Sequence, residues 1–156
     1  VRRGEAFRYL VLAAQREGNR GLAAALRELG LTPAWAEVLV ILDEHSPLTV
    51  KGLGELLVCE SDHPSRLVKR MVAAGLLERR ALATDRRAVA LALTPAASEL
   101  VSRVRMIEDG LYDFLEQALP AADLDTVISS LSALVSGQPS GLALDRRRQH
   151  QQAGRA

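Results

Sequence analysis

Residues 61–90 concentrate the side chains able to hold an anion: seven basic groups against Asp62, Glu78 and Asp85, a local charge of +4. Within them, Ser65-Arg66-Leu67-Val68-Lys69-Arg70 places Arg66, Lys69 and Arg70 at i, i+3 and i+4. On a helix that spacing gathers the three cations on one surface and leaves Leu67, Val68, Met71 and Ala74 on the other. Guanidinium and ammonium groups so arranged can pair with phosphates and read guanine edges in a major groove. Ser65 falls in the first turn, where the helix dipole favours a phosphate oxygen. A second basic cluster, Thr84-Asp85-Arg86-Arg87, sits in a turn, where arginines can reach a narrow minor groove or its phosphates. His63, just before the first cluster, is a further candidate for a base or phosphate contact. Charge alone would also fit an ordinary solvated face.

Other chemistry fares worse. Cys59-Glu60-Ser61-Asp62-His63 gathers several metal-ligand types, but structural zinc wants repeated Cys or His pairs at set spacings. No metal and no cofactor is expected, and the segment reads as a capping loop facing nucleic acid. Cys59, the single cysteine, has acidic neighbours that would blunt a thiolate, so it is expected to pack as a small hydrophobe. One cysteine cannot form an intrachain disulfide, which suits a reducing cytoplasm. A phosphate-cradling glycine motif, a nucleophile elbow and a His-Glu-x-x-His helix are all lacking. His45, His63 and His150 occupy unlike contexts, so the sequence does not read as an enzyme.

These clusters need elements to position them. With 156 residues, 48% of them hydrophobic and 25% charged, the chain can bury about two-thirds of its unfolded surface without disulfide staples. Apolar runs such as Val38 to Leu42 are too short to span a bilayer, so no membrane partner is expected. Phe7, Leu10, Val11, Ala14, Leu22, Leu26 and Leu29 keep a helical period up to Gly30. Thr32-Pro33 reads as a cap followed by a first-turn proline, opening a helix that Ser46-Pro47 breaks. A short helix over 49–57 and the basic helix over 64–74 follow, with Gly75 as a stop. The period then changes to two in Leu77–Ala81 and again in Ala88–Leu93, predicting a β-hairpin around the basic turn. Thr94-Pro95 repeats the cap device, and Pro120 divides the remaining helical pattern in two. From Gly137 the composition turns to Gly, Gln, Pro, Ser and Arg, predicting a mobile basic tail over 137–156.

The expected fold is therefore mainly α with a small β-hairpin: a winged helix-turn-helix domain flanked by N- and C-terminal helices. From Leu48-Thr49-Val50 to Leu93-Thr94-Pro95 the chain resembles the multiple-antibiotic-resistance regulator (MarR) family. The match is carried by Ser65–Arg70, Ala74-Gly75-Leu76-Leu77-Glu78-Arg79, Asp85-Arg86-Arg87 and Leu91-Ala92-Leu93-Thr94-Pro95, in that order. The resemblance implies a homodimer held by dimerisation helices over 1–30 and 96–136, with the DNA-binding domain over 31–95. It implies a transcription regulator, read here as a repressor, on an inverted-repeat operator in double-stranded DNA. Asp85 would orient the wing arginine that enters the minor groove, and a small-molecule effector would bind between the first, second and fifth helices. Tyr9, Arg16, Trp35 and His45 are the expected lining of that pocket. One departure from the family pattern is Pro64, which cannot donate a backbone hydrogen bond inside a helix. The recognition helix is accordingly expected to start at Pro64, capped by His63 or Asp62. The rival readings are a winged-helix protein-interaction module and a non-specific architectural DNA binder.

Overall fold

Three threonines begin helices by the same device. Thr32, Thr49 and Thr94 turn their hydroxyl oxygens back to accept from the N–H groups of Trp35, Gly52 and Ala97, at 3.2, 3.1 and 3.2 Å. Each thereby satisfies one of the donors that a helix start leaves open. After Thr32 and Thr94 the first helical residue is proline, whose missing N–H costs nothing there. The computed structural model describes residues 2–59, 63–81 and 89–153. Within these, the order is α1 (Arg3–Leu26), α2 (Pro33–His45), α3 (Val50–Gly54), α4 (Pro64–Ala73), β1 (Leu77–Ala81), β2 (Val89–Leu93), α5 (Pro95–Ala118), α6 (Ala121–Val135) and α7 (Pro139–Ala153). The expected mainly helical fold with one hairpin is borne out.

Helix ends are as well specified as starts. Gly75 has φ 74°, and around it Leu76 N–H donates to Met71 O while Gly75 N–H donates to Val72 O, each at 3.0 Å. This Schellman closure needs a left-handed residue, which glycine adopts at least cost, and it stops α4 where the sequence placed the stop. β1 and β2 pair antiparallel with Leu77 opposite Leu93, Arg79 opposite Leu91 and Ala81 opposite Val89. Leu91 N–H also donates to Leu48 O at 2.7 Å, tying the hairpin to the segment before α3.

The core lies between α2, α3, α4, the hairpin and the first turns of α5. Leu39, Leu42, Leu53, Leu57, Leu67, Met71, Leu91 and Val104 are fully buried there. By contrast α1 buries only Leu26, and α6 buries none of its residues. Among the described residues no single helix is long and apolar enough to cross a membrane.

Two expectations need correcting. The short helix stops at Gly54 rather than Leu57: Leu56 N–H bonds to Leu53 O, and the chain turns after a segment that holds both Gly52 and Gly54. The segment expected as a mobile tail forms α7 over Pro139–Ala153, because its arginines find acceptors on α2 and after α3, two of them, Glu37 and Leu56 O, on buried residues.

Candidate nucleic-acid interface

α4 sorts its side chains by face. Leu67, Val68 and Met71 are buried against the core, while His63, Ser65, Arg66, Lys69 and Arg70 are all exposed. Pro64 is the first helical residue and His63 the residue before it, with φ −139° and ψ 61°. His63 makes no side-chain capping bond, and Asp62, the other expected cap, lies outside the described residues; Pro64 itself is placed by packing. That packing is close. A Cβ on Gly54 would lie 3.0 Å from Pro64 Cγ, so the end of α3 seats the start of α4.

At its other end α4 is fastened to α5. Thr94 Oγ1 donates to Gly75 O at 2.8 Å while accepting from Ala97 N–H, and Thr94 N–H donates to Leu76 O at 3.1 Å. One residue thus joins the end of the basic helix to the start of α5. On β1, Arg79 and Arg80 add exposed positive charge, with Arg80 paired to Glu78. Thr84, Asp85, Arg86 and Arg87, the expected wing contacts, lie outside the described residues.

The expected effector lining does not come together. Tyr9 lies on the exposed start of α1, in a groove with Arg2, Glu5 and Arg8. Arg16 is exposed further along the same helix. Trp35 borders a separate groove with Asn19, Thr32, Cys59 and Arg70. His45 is turned inward at the end of α2, its side chain 4% exposed and its ring 5.0 Å from that of His150 on α7. Burial lowers the His45 pKa, with His150 and Arg147 acting in the same sense and Glu44 opposing. Helical phase explains the scatter, since residues chosen for chemistry alone fall on different faces of α1 and α2.

A cavity of about 400 Å³ does open between α2, α5 and α7, lined in part by Val40, Glu44, Arg105, Glu108 and Tyr112. Arg105 crosses from α5 to α2, donating to Asp43 at 2.9 Å and to Glu44 at 3.1 Å. Burial raises the Glu108 carboxyl and the Tyr112 hydroxyl above their ordinary ranges; for Glu108, Glu44 adds to the shift and Arg105 opposes it.

The sequence reading missed a second polar node. Glu37, 9% exposed, accepts from Val58 N–H at 2.9 Å, from Cys59 N–H at 2.8 Å, and from the Arg147 guanidinium. Arg147 Nε donates to Leu56 O at 2.7 Å, and Arg146 reaches Glu55 O at 3.3 Å. A carboxylate in the middle of the apolar α2 was the available signal, because a buried charge requires a partner. Burial of its thiol and the neighbouring Glu37 carboxylate push Cys59 up to about 12, but the residue as a whole is exposed at the turn after α3 rather than packed in the core as expected.

The fold and its basic helix define a winged helix-turn-helix protein. A model described as "MarR family" matches residues 29–88. The organic hydroperoxide resistance transcriptional regulator of Bacillus subtilis (strain 168) is 30% identical over 127 residues, 81% of this chain and 85% of the relative. The chain belongs to the MarR family of transcription regulators, which are not enzymes. Its fold is similar to that of a mutant MarR from E. coli complexed with operator DNA, with a TM-score of 0.72 and 23% identity over 81% of this chain and 91% of that one. The S. aureus MepR–DNA complex gives 0.76 and 21%, covering 83% and 96%. The organohalide-sensing RdhR-CbdbA1625 in its 2,4-dichlorophenol-bound form gives 0.79 and 16%, covering 89% and 83%.

Proposed function

We propose that this chain is a cytoplasmic, homodimeric repressor that reads an inverted repeat in double-stranded DNA, with residues 31–95 as the reading module and 1–30 and 96–136 as the dimerising segments. The observation that carries it is the division of α4: an apolar face locked into the core and Ser65, Arg66, Lys69 and Arg70 outward. A rigid helix with that outer face fits a major groove. Thr84, Arg86 and Arg87, oriented by Asp85, would serve the adjacent minor groove, and His63 the edge of the major-groove contact. Two-fold pairing sets half-sites about one helical turn apart. The chain has no catalytic role in this reading.

Selection from a pool of random duplexes at two salt concentrations tests the proposal. Recovery of an inverted repeat supports it; salt-sensitive retention with no enriched sequence would replace it with an architectural role, and no retention with a protein-interaction module. Arg66→Ala should cost about 1–3 kcal/mol if that side chain reads a guanine, and should relax preference at one base pair of each half-site. Unchanged affinity and preference would count against α4 as the reading helix.

A small-molecule effector fits the cavity between α2 and α5 better than it fits Tyr9, Arg16, Trp35 and His45, which are not brought to one cavity among the described residues. The Bacillus relative is named for organic hydroperoxide resistance. In this chain a thiol held near 12 is a poor nucleophile at neutral pH, so the signal is proposed to act without Cys59 oxidation. At pH 8 native Cys59 should alkylate about a hundredfold slower than in the unfolded chain, a roughly thousandfold loss of thiolate being offset in part by the greater nucleophilicity of the more basic thiolate. Equal rates in a labelling time course would reverse this point.

A further inference from the structure

α7 makes its polar contacts to two neighbouring parts of the fold, α2 and the turn that follows α3. Arg147 donates from Nε to Leu56 O and from Nη2 to Glu37, while Arg146 reaches Glu55 O. Glu37 holds the next two residues of that turn through the N–H groups of Val58 and Cys59. Further along α7, His150 lies against His45, and Gln151 Nε2 donates to Glu44 Oε2 at 3.5 Å. The helix is therefore fastened to α2 and to the end of α3 together. That end is the seat of α4, because Gly54 meets Pro64 so closely that a Cβ there would lie 3.0 Å from the proline ring. Ser65 and Arg66 follow directly on Pro64.

We propose that α7 positions the DNA-reading helix: Arg147 and Glu37 together fix the turn after α3, and through the Gly54–Pro64 contact they set where the first turn of α4 presents Ser65 and Arg66. Arg147 and Glu37 are positioning residues here, touching no nucleic acid themselves. Arginine suits the task, since its planar fork can serve a carboxylate and a carbonyl at once, which a lysine ammonium does less well. The inference rests on the reading of α4 as the DNA-binding helix.

The test uses the full chain with Arg147→Ala and Arg147→Lys, plus Arg147→Gln as a milder change should the alanine variant fold poorly. Two quantities are compared with the wild type. One is amide hydrogen exchange at Val58 and Cys59; the other is the affinity for the selected inverted repeat and for a scrambled duplex at the same salt. Arg147→Ala should speed exchange at both amides and weaken the specific complex by about tenfold, leaving the scrambled duplex within about twofold. Arg147→Lys should recover part of the specific affinity by restoring the pair with Glu37. Equal losses on both duplexes would make Arg147 a phosphate contact and overturn the proposal. So would amides that stay as protected as in the wild type, or specific binding that does not change. If the wild type retains no duplex at all, the DNA-binding reading fails and this inference falls with it, whatever the amides do.

Discussion

Leu39, Leu53, Leu67 and Leu91 lose all contact with solvent, whereas Leu10, Phe114, Ile128 and Leu134 keep half or more of their surface in water. The first set belongs to the module of α2 to β2 and the second to α1, α6 and the far part of α5. Both regions are rich in leucine, so composition does not separate them; the supply of partners does. In the module, three helices and a hairpin converge within a few residues of chain and close over one another. The outer helices are long and diverge. Between α1 and α6 they leave an apolar groove of about 590 Å³, lined by Phe7, Leu10, Val11, Val127 and Leu131. Exposed apolar side chains gathered along one groove suit burial against another molecule, and a second copy of this chain is the occupant that the proposed inverted-repeat operator requires.

Substitutions on the two sides should therefore fail in different ways. Leu39→Ala empties a fully buried site and should lower folding stability by about 2–5 kcal/mol in chemical denaturation, independent of protein concentration. A concentration-dependent loss would mean that the module depends on the partner copy. Ile128→Asp should leave the module folded but weaken self-association by about ten- to a hundredfold, equivalent to roughly 1.4–2.8 kcal/mol, read by sedimentation across a dilution series. An unchanged sedimentation profile would remove the apolar outer face from the interface. Thr94→Ala, at the boundary between the regions, removes the helix cap and the bond to Gly75 O. It should cost about 1 kcal/mol in stability. A loss of operator affinity beyond what that destabilisation explains would show that the joint also sets geometry.

Local chemistry made most of the fold legible. Thr32-Pro33 and Thr94-Pro95 name their helix starts, Gly75 names a stop, and the change from a period of 3.6 to 2 at Leu77 names the hairpin. Each signal is completed within a few residues of where it occurs. The face of α4 was legible for the same reason, since its polarity is written at helical spacing. α7 was not, because Leu144-Asp145-Arg146-Arg147-Arg148-Gln149-His150 carries little apolar periodicity. What holds that helix lies about 90 residues or more away, at Glu37, Glu55 and Leu56, and no local pattern announces a contact of that separation. The scatter of Tyr9, Arg16, Trp35 and His45 has a related cause: residue type was known, but the direction in which each side chain leaves its helix was not.

The Thr94 joint has a mechanical consequence. α5 is a rod of 24 residues, about 36 Å long, and Thr94, the residue that caps it, is bonded to Gly75 and Leu76, directly after α4, through a single hydroxyl and one backbone N–H. A tilt of that rod is a tilt of the helix bolted to its base, with little slack to absorb it. Whatever grips the far end of α5 therefore works a long lever, and a small shift there changes the angle at which Arg66, Lys69 and Arg70 face outward.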